Sequence, residues 1–403
     1  MNELRRNLYK LPWSRTDNQG GWIEVTDDCD LFCPDCYRRR LEGHRSLEEL
    51  KKEIIKVQEL TNCDCICIAG GEPLIYPYFV DVVKFISKRK MKSVLFTNGE
   101  KLTGNYAAEL KKAGLSKIHF HIDSAQNRPG WEGKNESEMN ELRQHYADLL
   151  WDVGGIQCGY NVTVFRSNIK NIPEIVEWCR ANIHKVQHIT FIAFRGLPLV
   201  EGMDYMANGK KIDINKVPIG YSDTEEINIS TEEMFDVVKN RCSDFRPCAY
   251  INGTSAPQTN KHLVVLNAGS KRGIHGFLGR RTVELVQEFY HLFKGRYCSF
   301  FLNPVVGKKL FILSFFDKEV KKTFGNYLKA SMKNPLRIFE KIYIQCINFQ
   351  QPNEMINGEK NLCDSCVNPM VYQDKLINPC QLDEYRIFGG LITAVPSQSK
   401  EAE

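Results

Sequence analysis

Residues 22–36 have the sequence WIEVTDDCDLFCPDC, in which a strand-like segment leads directly into three cysteines. The apolar and β-branched residues at its start predict a buried strand, and the polar residues after them predict a loop. Cys29, Cys33 and Cys36 would then share one tight loop at the end of that strand. Three thiolates at this spacing can bind three irons of a cubane cluster and leave the fourth iron open. A zinc site completed by a fourth ligand is the alternative.

Strand-like and helix-like segments alternate from this loop to about residue 195. The later strands are predicted at residues 65–69, 93–96, 117–122, 157–165 and 188–194. Ser46 and Glu49 form a capping box, which predicts the start of the first helix. Six strand–helix repeats predict an α/β fold, a partial (β/α)6 TIM-like barrel. Functional groups of such folds lie at the carboxyl ends of the strands.

The pattern changes after about residue 200, where the chain becomes polar and irregular, and then basic and aromatic. We predict an N-terminal extension at 1–20, the barrel at 21–200, an irregular α+β region at 201–340 and a cysteine-containing domain at 341–403. The last two would form a smaller α+β part after the barrel. Apolar residues make up 42% of the 403 residues, which is enough to bury a core.

Composition also bounds the partners and the compartment. The net charge of +5 is small for this length, so we expect no nucleic acid partner. The sequence contains no apolar run of signal-peptide or membrane-span length, which predicts a cytoplasmic protein without a transmembrane segment. Its fifteen cysteines are therefore expected to be metal ligands, buried thiols or catalytic groups, since disulfides are rare in a reducing compartment.

The cysteine triad and the segment Gly70-Gly71-Glu72-Pro73, which follows the second strand, together resemble the signature of the radical S-adenosylmethionine (SAM) superfamily. The resemblance covers roughly residues 20–200. It implies a [4Fe–4S] cluster on the triad, with SAM on the open iron. Reductive cleavage of SAM would give methionine and a 5′-deoxyadenosyl radical, which abstracts hydrogen from a substrate. One position departs from the family, because Asp35 replaces the usual aromatic or apolar residue and Tyr37 comes one place later.

The resemblance also implies the groups that hold SAM. Gly70, Gly71 and Pro73 would shape a loop whose carbonyls, together with Glu72, receive the amino group of SAM. Glycine at these positions would let the backbone approach the ligand closely. A tight turn into the next helix is the alternative role of the segment.

Three further strand ends correspond to SAM-contacting positions in the family. His121, Asp123 and Ser124 end the fourth strand, where Asp123 or Ser124 would contact ribose or substrate. Asn161 corresponds to a polar group on the fifth strand. Arg195 ends the sixth strand and could pair with a carboxylate of SAM or substrate. The alternatives are a hydrogen-bonding network at the strand end and an ordinary surface arginine. No catalytic side chain is assigned.

Four cysteines near the end of the chain form a second candidate metal site: Cys346, Cys363, Cys366 and Cys380. The segment that ends in Pro379-Cys380 resembles the start of the auxiliary-cluster domains called SPASM and Twitch, with Lys375 where that pattern has glycine. The resemblance implies one additional iron–sulfur cluster. Structural zinc and free thiols are the alternatives.

Residues 289–316 interleave phenylalanine, tyrosine, lysine and arginine. Strands of a small domain with snorkelling lysines are the favoured interpretation. A membrane-surface or lipid-substrate role and stacking on nucleic acid are the alternatives.

These observations predict a radical SAM enzyme, an oxidoreductase or a transferase, that takes electrons from a reductant such as flavodoxin or ferredoxin. The resemblance to auxiliary-cluster domains favours modification of a peptide or protein over radical chemistry on a lipid or a small molecule. A non-catalytic iron–sulfur or zinc protein is the hypothesis from another class.

Overall fold

The computed structural model describes residues 5–34, 36, 38, 41–194, 202–216, 229–351 and 354–397. A short strand β1 (Tyr9–Lys10) precedes the barrel. Six parallel strands then lie side by side in chain order, namely β2 (Gly20–Glu24), β3 (Cys65–Ala69), β4 (Lys92–Thr97), β5 (Lys117–His121), β6 (Gln157–Val164) and β7 (Val186–Ala193). The predicted α/β fold, a partial TIM-like barrel followed by an additional C-terminal part, is confirmed.

Five helices connect these strands: α1 (Leu47–Thr61), α2 (Phe79–Lys88), α3 (Gly104–Ala113), α4 (Asn140–Val153) and α5 (Ile172–Ala181). The capping box begins α1, because Ser46 Oγ accepts a hydrogen bond from Glu49 N and the Glu49 side chain accepts one from Ser46 N. Thr103 caps the start of α3, which ends at Gly114. The φ angle of Gly114 is +102°, a left-handed conformation that glycine adopts without steric cost.

The central sheet continues beyond β7 into the C-terminal half of the chain. β13 (Tyr343–Gln350) pairs in parallel with β7, and β11 (Asn260–Ser270) pairs antiparallel with β13. β10 (Ala249–Asn252) and β12 (Gly273–Phe277) both pair antiparallel with β11, and β1 pairs in parallel with β10. Residues predicted to belong to a separate cysteine-containing domain therefore supply a strand of the central sheet. The boundary at residue 341 stays a prediction.

Helices and small sheets complete the described chain. They are β8 (Met203–Ala207), β9 (Lys210–Lys211), α6 (Thr231–Arg241), α7 (Arg280–Lys294), α8 (Lys318–Lys333), β14 (Met355–Ile356), β15 (Glu359–Lys360), β16 (Met370–Tyr372), β17 (Lys375–Ile377), α9 (Leu382–Phe388) and β18 (Ile392–Pro396). Among the residues described, no helix is both long and apolar enough to cross a membrane.

The aromatic and basic stretch does not fold as predicted. The end of α7 and a 3-10 helix, Gly307–Phe315, occupy most of residues 289–316, so the expectation of small-domain strands is wrong. Leu310 and Phe311 are both buried in a local core, and two adjacent buried side chains do not follow the alternation of a strand.

Polar side chains line the inner face of the barrel. Lys117, His119 and His121 alternate along β5 and so project to one face, where they line a large cavity. Lys117 is 4% exposed, and its Nζ lies 3.0 Å from His188 Nδ1. Burial lowers the pKa of Lys117 to about 8, although nearby thiols, Cys346 first among them, act in the opposite direction. Within the described ranges, no carboxylate forms an ion pair with this lysine.

We therefore expect Lys117→Met to stabilise the fold at pH 7 by up to about 3 kcal/mol. The native state binds fewer protons than the unfolded state between pH 8 and the ordinary lysine pKa of 10.5, so wild-type stability rises with pH in that window and the variant loses this rise. Urea unfolding at pH 7 and pH 10 measures both effects. Lys112→Met, at an exposed position of α3, is the matched control and should change little. A variant at position 117 that is destabilised at pH 7 would contradict the expectation.

Candidate functional site

The predicted cysteine loop lies at the carboxyl end of β2, beside the cavity. The amide of Cys36 donates a hydrogen bond to the carbonyl of Cys33 (3.3 Å), which tightens the loop. Burial first, and then the neighbouring Cys36, Asp123 and Cys29, raise the pKa of Cys33 to about 12. Burial likewise raises the pKa of Cys29 to about 11. The structure thus brings the three thiols into mutual electrostatic range, where a bound cation would favour their ionised forms.

The arrangement of the thiols also bears on which metal centre fits. In the part of the chain that the structure describes, no three His, Cys, Asp or Glu side chains converge on the position of a single metal ion. A zinc ion needs its ligands on one centre, with sulfurs about 2.3 Å from it. A cubane takes each thiolate on a different iron, so its cysteines stand further apart. Three thiols on one loop are a donor set that an iron–sulfur cubane can take, with one iron left open.

The glycine loop is bound to the cysteine loop through its backbone. Gly71 N donates to Thr26 O (2.7 Å), and Glu72 N donates to Asp28 O (2.8 Å). A methyl group on Gly71 would overlap the carbonyl of Asp28, and one on Gly70 would overlap that of Thr26. Gly70 also has a φ of +136°, which disfavours any side chain. The structure therefore shows that glycine is needed at these two positions for close contact with the cysteine loop, which the sequence did not suggest.

Glu72 lies beneath that contact and is 1% exposed. Its Oε1 accepts hydrogen bonds from Thr97 Oγ1 (2.6 Å) and Leu74 N (2.8 Å), and its Oε2 accepts one from Asn98 N (2.7 Å). Burial raises the pKa of Glu72 to about 7, although these three donors act to lower it. The carboxylate thus joins the carboxyl ends of β3 and β4. Pro73 follows in the first turn of a short 3-10 helix.

Asn98 extends this network into the cysteine loop. Its Nδ2 donates to the carboxylate of Asp30 (2.8 Å), which lies between the first two cysteines of the triad. Arg128, which is 1% exposed, donates to the carbonyls of Asn98 (2.7 Å) and His121 (2.6 Å). Sequence reasoning missed Arg128, because an arginine in a polar loop gives no signal that it will be buried. It fixes the carboxyl ends of β4 and β5 beside the triad.

The end of β5 presents an ion-paired histidine. His121 Nε2 lies 2.9 Å from Asp123 Oδ2 and 2.9 Å from Thr163 Oγ1, and its side chain is 39% exposed. Although burial acts to raise it, the hydrogen bond and charge of His121 hold the pKa of Asp123 below its ordinary value. Ser124 N donates to Glu136 (2.9 Å), so the backbone of Ser124 takes part in a buried network. Of these groups, His121 and Asp123 line the cavity.

Of the two other predicted SAM-contacting residues, Asn161 lies in the cavity wall and Arg195 lies outside the described residues. Asn161 lies on β6 and lines the cavity, with its Oδ1 3.3 Å from His119 Nδ1. The ring of His119 stacks on Phe96, with 5.0 Å between centroids. Arg195, Asp35 and Tyr37 lie outside the described residues.

The structure brings together three of the four C-terminal cysteines. Burial raises the pKa of Cys363 well above its ordinary value, and the thiols of Cys366 and Cys380 raise it further. Cys346 lies apart on β13, where it pairs in register with His188 and where Lys117 is its charged neighbour. The predicted four-thiol set stays a prediction, and β13 pairing gives Cys346 surroundings different from those of the other three thiols.

One cavity is lined by both cysteine groups, by Gly70, Gly71 and Glu72, and by several of the predicted strand-end residues. It has a volume of about 1140 Å³. Its wall includes both the N-terminal triad and the C-terminal thiols, with aromatic side chains such as Trp22, Phe96 and Phe300 between them. A volume of this size accommodates a substrate of several hundred daltons or a segment of a longer one.

Comparisons with known proteins agree with this geometry. The family model of the radical SAM superfamily matches residues 23–179. A probable GTP 3′,8-cyclase of Methanocaldococcus jannaschii is 27% identical over 188 residues, which are 43% of this chain and 59% of the relative. A Pyrococcus furiosus protein described as modifying the cofactor of tungsten-containing aldehyde ferredoxin oxidoreductase is 26% identical over 168 residues, 39% of this chain and 47% of the relative.

Among solved structures, Streptococcus suis SuiB bound to the precursor peptide SuiA is 14% identical, with a TM-score of 0.40 over 57% of this chain and 46% of that one. The chain thus spans about half the length of the relatives it matches. The matched residues begin in β2 and end in α5, and they include the cysteine triad and the glycine loop. Residues 23–179 of this chain therefore form a radical SAM domain.

Proposed function

We propose that this chain is an enzyme that cleaves SAM reductively at Cys29, Cys33 and Cys36 and abstracts hydrogen from a substrate held in the cavity. A [4Fe–4S] cluster on these thiols would supply the electron that breaks the sulfonium C–S bond and yields a 5′-deoxyadenosyl radical. The observation that carries the proposal is the position of the triad on the wall of a cavity of about 1140 Å³.

The chain's own residues would hold the cysteine loop, orient a ligand in the cavity and shield the radical from water. The hydrogen bonds from Gly71 and Glu72 hold the cysteine loop in place, and the Asn98–Asp30 contact fixes its first half. The exposed His121 ring, oriented by Asp123, is placed to donate a hydrogen bond to a ribose or carboxylate oxygen in the cavity. The aromatic side chains of the wall would exclude water from a reactive radical.

We also propose that Cys363, Cys366 and Cys380 form the ligand set of a second iron–sulfur cluster, without Cys346. Support comes from the neighbouring thiols that raise the pKa of Cys363 and of Cys366, and from the place of all three thiols on the wall of the same cavity. A cluster with three protein ligands retains one open iron. Such a site could accept an electron from the substrate or bind it directly.

The substrate is proposed only as a class of molecule. The resemblance of the segment around Cys380 to auxiliary-cluster domains supports a peptide or protein, whereas the apolar part of the cavity wall also suits a lipid or another small molecule. A reductant such as flavodoxin or ferredoxin would deliver the electrons.

Changing Cys29, Cys33 and Cys36 together to Ala should abolish formation of 5′-deoxyadenosine from SAM by the reduced protein, because no thiolate remains to hold the cluster. Chromatography of the anaerobic reaction measures the product. Cys179→Ala, which changes a buried thiol of the apolar core, should leave cleavage intact. Undiminished cleavage in the triple variant would overturn the proposal, and no cleavage by reconstituted wild type would favour a non-catalytic iron–sulfur protein.

Gly71→Ala should weaken the N-terminal metal centre itself. The added methyl group would overlap the carbonyl of Asp28, so the cysteine loop must move. We expect up to about four fewer irons per chain after reconstitution and at least a tenfold rise in the Kd for SAM, a loss of about 1.4 kcal/mol. Gly104→Ala is the control, because nothing lies within 4 Å of its new methyl group. Full iron content with normal SAM binding would show that the loop contact is dispensable.

Iron counting also separates the C-terminal cysteines. We expect about eight irons in reconstituted wild type and about four in the Cys363→Ala variant. Cys346→Ala should keep about eight, because Cys346 lies apart on β13. Zinc in place of the second set of irons would identify a structural zinc site. An equal loss of iron in the Cys363→Ala and Cys346→Ala variants would show that Cys346 is also a ligand.

A further inference from the structure

Residues 301–339, here called the 301–339 segment, expose an unusual amount of apolar surface. The side chains with the largest exposure are Ile312 (61%), Phe315 (86%), Phe316 (65%), Met332 (75%), Leu336 (67%) and Phe339 (83%). Single exposed apolar residues are normal on a protein surface, but a group of this size on one structural unit marks an interaction site.

The segment is one packed unit and not a loose loop. Phe311 stacks on Tyr327 of α8 with 5.1 Å between ring centroids, and Leu310 and Val320 are buried in the same small core. The hydroxyl of Tyr327 lies 3.3 Å from the carbonyl of Arg337 in the second 3-10 helix, Pro335–Phe339. The exposed apolar side chains are therefore held outward by a core that is already complete.

The segment and the two residues after it carry a net positive charge. Residues 301–341 contain nine lysines and arginines and three acidic residues, a net charge of +6, whereas the whole chain carries +5. Two of the acids are engaged inward. Asp317 is 4% exposed and accepts hydrogen bonds from Thr282, and Glu340 pairs with Arg272 at 3.2 Å. Within the described ranges, none of the eight lysines of residues 301–341 has a carboxylate within 4 Å.

The rim of the cavity reaches this surface. Phe301 and Ile312 are exposed and also line the cavity, and Pro304, Val306 and Lys309 line it beside them. Apolar side chains surrounded by unpaired lysines are the composition of helices that lie in the interface of an anionic bilayer. The lysines would meet the lipid headgroups while the aromatic and aliphatic side chains enter the acyl boundary.

We propose that the 301–339 segment docks this protein on the surface of an anionic lipid bilayer. Docking sets the rim of the cavity against the membrane. The inference rests on the exposed residues and their charges and not on the proposed reaction, so each can fail without the other.

The test measures flotation of the reconstituted protein with vesicles of phosphatidylcholine alone or of phosphatidylcholine with 30% phosphatidylglycerol. We expect flotation with the anionic vesicles and its loss at high salt. Phe315→Ser combined with Phe316→Ser should reduce the affinity for anionic vesicles by at least tenfold, and Lys321→Gln combined with Lys322→Gln by a similar factor. Trp151→Ser, which changes an exposed aromatic residue on α4, and Lys52→Gln combined with Lys88→Gln are the matched controls.

Formation of 5′-deoxyadenosine by the phenylalanine variant should match wild type, which verifies that it folds and separates docking from the reaction. Equal binding to both kinds of vesicle, no binding to either, or no effect of the phenylalanine changes would each overturn the proposal. If light scattering instead shows a wild-type dimer that the phenylalanine changes dissociate, the face is a contact between two copies of this chain. The triple Cys29, Cys33 and Cys36 variant should bind vesicles as wild type does.

Discussion

Two backbone hydrogen bonds, from Gly71 N to Thr26 O and from Glu72 N to Asp28 O, set the distance between the glycine loop and the cysteine loop. The close approach leaves no room for a side chain on either glycine. The contact is built from the ends of two adjacent parallel strands, so the register of β2 on β3 determines where the cysteines lie. A shift of either strand would move the three thiols relative to the cavity.

The interior of the barrel is organised around polar groups that a stable core would avoid. Lys117 is buried without a carboxylate partner among the described residues, and burial lowers its pKa to about 8. The thiols of Cys33 and Cys363 have other thiols as neighbours, and these neighbours disfavour the ionised forms of Cys33 and Cys363. Such groups cost stability, and proteins keep them mainly where a ligand or a reaction uses them. These groups all line one cavity, with the triad at one part of its wall and the C-terminal thiols at another.

Much of the fold and part of the site followed from local patterns. Strand and helix periodicity, the Ser46 capping box and Gly114 are short-range features, and each lies in the structure where the sequence placed it. Glu72 and Cys346 could not be assigned from such patterns. The role of Glu72 toward SAM stays a prediction, and local sequence gave no sign that both of its oxygens accept hydrogen bonds from the end of β4 and from Leu74. Cys346 was grouped with its neighbours in sequence, although pairing with β7 draws it into the barrel.

The sequence by itself determined the chemistry available to this protein: three thiols on one loop, a glycine loop after the next strand, and a repeating α/β pattern. These properties depend on residue types and spacings within a few tens of positions. Only the tertiary structure decided that Arg128 is buried beside the triad, that Cys346 lies in a strand of the central sheet, and that the apolar side chains of the 301–339 segment point outward. Burial and register arise from tertiary contacts, such as those of Arg128 with the ends of two strands and those of β13 with β7, and the spacing of residue types along the chain does not reveal them.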